Sequence, residues 1–180
     1  LEKMDDVSLA ALCDVNPDRL AETADRFGIE QRYTDAAEMM DKESLDAIYV
    51  LMPPHQLFDL VMDVIERGLH LFIEKPPGIT AAQTRQMSFT AEQAGIVSMV
   101  GFNRRYTPLI PQSKETVTKN GPMLQCVSKF YKPMAGKPHP YYRGAIDVLR
   151  CDAIHAVDML RYMGGDVVDV ASDVQAYKST

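Results

Sequence analysis

Cysteine is scarce in this chain and spaced for no metal. Cys13, Cys126 and Cys151 are far apart and odd in number, so no ligand spacing for a metal appears, and the pattern points to a reducing, cytoplasmic compartment. Basic runs are also lacking. Net charge is −6 with no extended Lys/Arg cluster, which argues against nucleic acid as the main partner. No stretch approaches the ~18 consecutive apolar residues that read as a membrane span, so no membrane partner is expected. Internal repeats and low-complexity segments are missing. The opening Leu1-Glu2-Lys3 carries neither an initiator Met nor a signal peptide, and is read as a cut. What remains is ordinary for a soluble globular chain: 180 residues, 46% hydrophobic and 24% charged, enough for one or two domains.

Along the chain, strands alternate with helices. Val7 to Val15 reads as a buried strand ending in a carboxylate, and Asn16-Pro17 then supplies an N-cap and a proline at the first helical position. Leu20, Ala24 and Phe27 keep helical spacing up to Gly28, the expected stop. Ile29 to Tyr33 is a short strand, and Thr34 opens a short helix through Met39-Met40. Leu45 to Met52 is a buried strand closed by Pro53-Pro54, followed by a helix from Gln56 to Arg67. The apolar run Leu69 to Ile73 is the next strand. Thr80-Ala81-Ala82-Gln83 is a capping box opening a helix to Ala94. Ile96 to Phe102 closes the series. Repeated βα units imply an α/β fold with a parallel sheet and helices on both faces.

After Asn103-Arg104-Arg105-Tyr106 the pattern changes. A helix from Pro108 to Asn120 precedes an alternating, half-exposed strand from Met123 to Tyr131. Lys132 to Tyr142 reads as a loop, Ala145 to Met163 as a helix, and Val167 to Tyr177 as a strand left without a partner. The domain reading is 1–106 and 107–180, each incomplete at one end.

The charged residues fall at strand ends. Glu74-Lys75-Pro76 closes a buried strand, and in open α/β sheets that edge is where ligands bind. Lysine there can reach a substrate hydroxyl and move its pKa, while Pro76 fixes the direction in which the chain leaves. A plain surface Glu-Lys pair before a turn is the competing reading. Asp14 ends the first strand, where an acid can accept ribose hydroxyls and repel a 2′-phosphate, favouring NAD over NADP. A helix-capping Asp, or the similar acid of S-adenosylmethionine enzymes, reads equally from the sequence. The turn G-x-G-x-x-G is absent. It would precede Asp14, and the residues before Asp14 are too few for strand, turn and helix, so roughly 25–35 residues are expected upstream. Pro53-Pro54-His55 follows another strand at the same edge, where prolines can wall a flat ring. His55 reads as a cap or packing residue, or as a ligand contact. His155 stands in the last helix with Asp152 and Asp158 three residues to either side, on one helical face. A carboxylate beside an imidazole makes a base; a helical His with ordinary charged neighbours is the alternative, and Asp158 reads as solvated or structural.

Together these pieces resemble the glucose–fructose oxidoreductase/inositol dehydrogenase (Gfo/Idh/MocA) family. The matching segments are Cys13-Asp14-Val15-Asn16-Pro17, Leu45 to Val50 with Pro53-Pro54-His55, Gly68 through Glu74-Lys75-Pro76, Gly101-Phe102-Asn103-Arg104-Arg105-Tyr106, and Ile154-His155-Ala156-Val157-Asp158. They occur in family order over nearly the whole chain. The resemblance implies a Rossmann-type parallel sheet binding NAD(P), here without its first strand and Gly-rich turn. It implies, after that, the start of an α+β domain with an open, largely antiparallel sheet that often makes homo-oligomers. It implies hydride transfer between nicotinamide and a sugar or polyol hydroxyl or ketone. Lys75 is then the residue contacting substrate and nicotinamide ribose, His155 the acid/base with Asp152 assisting, and Asn103 and Arg104 lie near the nicotinamide end. Pro53, His55, Glu74 and Asp14 complete the expected cofactor contacts, with NAD preferred. A substrate carbinol held by Lys75 and His155 would lose its proton to His155. The chain departs from the pattern twice: many members carry an acid four residues before the histidine, where Cys151 stands here, and a histidine slightly after the proline turn, where Leu57 stands. A nucleotide-binding regulator or scaffold of the same fold and an NAD-dependent glycosidase are the other functions it allows.

Overall fold

A computed structural model describes residues 1–132 and 147–175. The chain divides into two units, Leu1–Val100 and Gly101–Thr180.

The first unit alternates β1 (Ala11–Cys13), α1 (Pro17–Phe27), β2 (Gln31–Tyr33), α2 (Ala36–Lys42), β3 (Ala47–Val50), α3 (Leu57–Glu66), β4 (His70–Ile73), α4 (Ala81–Gln93) and β5 (Ser98–Val100). All pairing is parallel: β1 with β2 in one sheet, and β3, β4 and β5 in order in another. The register sets Val50 against Ile73 and Ile73 against Val100, so the carboxyl ends of β3, β4 and β5 line one edge. Parallel strands need a crossover helix between them, and α3 and α4 supply it. Both sheets share a core. Leu57, Val61, Val64 and Ile65 of α3 are almost fully buried against Ile48, Val50, Leu71 and Ile73, and Ala11, Cys13 and Tyr33 pack onto the same cluster.

Local signals explain the ends of these elements. Asn16 caps α1 by accepting from the N–H groups of Asp18 and Arg19, and Gly28 ends it at φ 64°, a left-handed conformation that suits glycine. The Thr80–Gln83 capping box opens α4 as the sequence implies. The second helix differs from the expectation: Asp35, one residue beyond Thr34, is its N-cap, its side chain accepting from the Glu38 N–H. The third helix begins at Leu57, after a 3-10 turn at Pro54–Gln56. The strands are shorter than the apolar runs that announce them, because only part of each run joins the ladder.

The second unit holds a 3-10 turn (Asn103–Tyr106), α5 (Leu109–Thr118), a π-helical turn (Leu149–Ala153) and α6 (Ile154–Gly164). The expected strand at Met123–Tyr131 shows alternating burial over its second half, yet no ladder forms there among the described residues. Residues 167–175 are exposed and form no strand, and the expected loop and helix start over residues 133–146 lie outside the described residues. Within the helix expected from Ala145 to Met163, Leu149–Ala153 form the π-helical turn and α6 follows.

Candidate functional site

Asp14 lies directly after β1, Pro53 to His55 just beyond β3, and Glu74-Lys75 directly after β4. The ends of β3 and β4 are neighbours, since the Glu74 N–H donates to the Val50 carbonyl at 3.2 Å. Three of the groups singled out from sequence thus come from the carboxyl ends of parallel strands, the edge at which such sheets bind ligands.

Around Lys75 the backbone is tightly held. Pro76 is buried and the Lys75–Pro76 peptide is cis. The Glu74 carboxylate accepts from the Lys75 N–H at 3.1 Å. A Cβ on Gly78 would stand 3.2 Å from Gln83 Cβ and 3.1 Å from Thr84 Oγ1, so glycine lets the segment after Lys75 lie close against the start of α4. The Ile79 N–H donates to Gln83 Oε1 at 2.9 Å, which ties the same segment to the capping box. Lys75 itself is half-buried.

Asp14 is occupied on both oxygens. Oδ1 accepts from the Asn16 N–H at 2.9 Å and from Arg19 Nη2 at 2.7 Å, and Oδ2 accepts from Arg19 Nε. The Arg19 hydrogen bonds hold the carboxyl below the usual carboxylate range. Asn16, not Asp14, is the helix cap. Sequence reasoning missed Arg19, a partner five residues away that only the strand-to-helix turn brings into reach. Burial, then Asp35 and Asp14, pushes the Cys13 thiol up, so Cys13 stays a protonated core group.

His55 is exposed within the 3-10 turn, one residue before Gln56, the N-cap position of α3. His55 is thus not the N-cap residue of that helix, and it stands at the sheet edge. Pro54 is buried and Pro53 half-buried. An apolar pocket of about 250 Å³ lies between α3, α4 and the sheet, lined by Val61, Ile65, Met87 and Val100 among others. None of Asp14, Pro53, His55, Glu74 and Lys75 lines it, so it is a packing gap of the helical layer.

In the second unit, His155 is half-buried in the first turn of α6. Asp152 sits in the π-helical turn just ahead, and π turns concentrate at functional sites. Its carboxylate forms an ion pair with Lys132, the two side chains 15% and 30% exposed. The sequence showed no sign of Lys132, which lies on the inward face of the alternating segment after Met123. Cys151 is buried. Asp158 is structural, not solvated: its side chain is 5% exposed and Arg105 grips both its oxygens. Arg104, the arginine singled out from sequence, is exposed and stands over the Phe130 ring at 5.7 Å; Asn103 is exposed beside it. Among the described residues no group of His, Cys, Asp or Glu could hold a metal ion, and no helix is long and apolar enough to cross a membrane.

The residues present fit two parts of a dinucleotide. A carboxylate at the end of β1 suits ribose hydroxyls, and the proline turn after β3 beside Glu74-Lys75 suits a flat ring and its ribose.

The chain is similar to known dehydrogenases. A myo-inositol 2-dehydrogenase of Thermotoga maritima is 31% identical over 179 residues, 96% of this chain and 52% of its own. A D-xylose 1-dehydrogenase (NADP(+)) of Haloferax volcanii is 31% identical over 122 residues, covering 67% of this chain and 38% of its own. The solved structure of a levoglucosan dehydrogenase in complex with NADH superposes with a TM-score of 0.75 at 26% identity, over 87% of this chain and 45% of that one. The chain spans about half the length of the inositol dehydrogenase it matches. Residues 1–102 match the Gfo/Idh/MocA oxidoreductase family with an NAD-binding Rossmann fold, and the chain belongs to that family.

Proposed function

We propose that the protein carrying this chain is an NAD(P)-dependent oxidoreductase that moves hydride between the nicotinamide and a sugar or polyol hydroxyl or ketone. The observation that carries the reading is the placement of Asp14, the Pro53–His55 turn and Glu74-Lys75 at carboxyl ends of parallel strands. It is supported by relatives named as inositol, levoglucosan and xylose dehydrogenases.

Bound nicotinamide would supply the hydride acceptor. Lys75 donates to the substrate oxygen and stabilises the negative charge that grows there when the proton leaves. His155 takes that proton. Asp152, with Lys132 as its counter-ion, keeps a carboxylate ahead of the imidazole helix. Asn103, Arg104, His55 and Pro53 contact the nicotinamide end, and Glu74 anchors the Lys75 backbone. Asp14 accepts the adenosine ribose hydroxyls and favours NAD. Arg19 lies beside it as a cation that a 2′-phosphate could use, so the preference is a contest between two adjacent charges. The protein works in the cytoplasm as a homo-oligomer. Exposed apolar side chains in the second unit, such as Leu124 and Val168 at 92% and 99%, support the latter.

The test is Lys75→Met in the natural protein that carries this chain. Turnover with a panel of polyols should fall on the order of 10²- to 10⁴-fold, as for loss of a proton-handling group, while calorimetry finds NAD affinity little changed. Wild-type NAD binding without turnover on any polyol would instead favour a non-catalytic nucleotide-binding role.

A further inference from the structure

Arg105 was not among the residues the sequence singled out as functional, yet it meets a carboxylate and two aromatic rings in the second unit. Its Nε donates to Asp158 Oδ2 at 2.8 Å and its Nη2 to Asp158 Oδ1. The guanidinium lies against two rings, 5.7 Å from the Phe102 centroid and 5.5 Å from that of Tyr162. Lys114 of α5 covers the Tyr162 ring at 4.3 Å and donates to the Tyr162 carbonyl at 2.5 Å. On the other side, the Phe102 ring meets the His155 imidazole edge-on, 6.4 Å between centroids at 87°.

His155, Asp158 and Tyr162 are spaced i, i+3, i+7 on α6 and so share one stripe of the helix. Every member of that stripe is touched by Phe102, Arg105 or Lys114. A buried carboxylate demands its cation, and a planar fork fixes both the rotation and the height of the helix that bears the carboxylate. Turning α6 by one residue, about 100°, would carry Asp158 off the fork altogether.

We propose that Arg105 is a positioning residue for His155. By gripping Asp158 it locks α6 to the turn Asn103–Tyr106, and through Phe102 it sets the imidazole relative to Asn103 and Arg104 on that same turn. The proposal rests on the reading of His155 as the acid/base. It explains why two arginines stand side by side: Arg104 stays exposed for a ligand, and Arg105 turns inward.

The experiment compares wild type with Arg105→Lys in the natural protein, since lysine keeps the charge but loses the fork. Folding is followed by circular dichroism. kcat is expected to fall on the order of ten- to a hundredfold, the effect of misplacing a catalytic group by about an ångström, with KM and NAD affinity within about twofold. Independently of activity, the His155 imidazole ¹H–¹⁵N signals, assigned by their loss in His155→Gln, should shift or broaden while those of His55 and His70 stay. If Arg105→Lys does not fold, Phe102→Leu leaves the ion pair intact and removes only the ring, and it should move the same signals. Unmoved His155 signals, or a loss confined to KM, overturn the proposal. A wild type inactive on polyols would sink the dehydrogenase reading alone, because the imidazole signals still report the clamp.

Discussion

Asp14 and Arg19 show what a single pair of side chains decides. The carboxylate is 23% exposed and the guanidinium 63%, so screening keeps the pair's contribution to stability small. Its sign is still fixed. A carboxyl held below its ordinary value in the fold stabilises the protein above the unfolded value, and that stabilisation is lost as pH falls through the folded one. Arg19→Ala should therefore raise the Asp14 titration toward the ordinary carboxylate value in a ¹³C carboxylate spectrum, with little loss of thermal stability. The same variant should weaken NADP binding about tenfold more than NAD binding, the scale of one charge-assisted hydrogen bond. Equal weakening of both cofactors would place Arg19 outside the 2′-phosphate environment. Position was legible here and partnership was not. An acid ending an apolar run announces the strand end, but contacts from Arg19 to Asp14, from Lys132 to Asp152 and from Arg105 to Asp158 depend on turns and long-range packing that spacing alone does not encode.

At the scale of elements, the punctuation was readable wherever a local hydrogen bond sets it. Asn16, Gly28 and the Thr80–Gln83 box act within a few residues of themselves, so their chemistry survives in the sequence. Thr80→Ala removes the side-chain acceptor of the Gln83 N–H and should cost about 1 kcal/mol in urea unfolding. Gly78→Ala tests the packing of the Lys75 segment. Thr84 Oγ1 can swing aside, but Gln83 Cβ is fixed by the helix, so the expected loss is about 1 kcal/mol or more. An unchanged unfolding midpoint would mean that the segment relaxes freely. The π-helical turn at Leu149–Ala153 was not legible, because over five residues an apolar pattern cannot separate 3.6 from 4.4 residues per turn. Thr34 and Asp35 are both good caps, and only the observed bond from the Glu38 N–H to Asp35 chooses between them.

Across the whole molecule, the two units differ in how their backbone is satisfied. In the first, parallel ladders are sealed under α3 and α4 by side chains such as Leu57 and Val61, 1% and 0% exposed. In the second, residues 123–131 and 167–175 join no ladder among the described residues, and they carry Leu124, Tyr131, Val168 and Val174 at 84% exposure or more. The sequence predicts strands in both stretches, the first from alternating hydrophobicity; a strand also needs a partner, which no local pattern can supply. Protection against hydrogen exchange follows hydrogen bonding and burial. The amides of β3, β4 and α3 should therefore exchange slowest, and those of 123–131 and 167–175 near the rate of an unstructured chain. Leu57→Ala should cost about 2–5 kcal/mol, the usual toll for a buried leucine, and should lower protection in β3 and β4 together, because both rest on the same α3 face. Slow exchange over 123–131 in this chain would contradict the picture, since it would require a backbone partner for that segment.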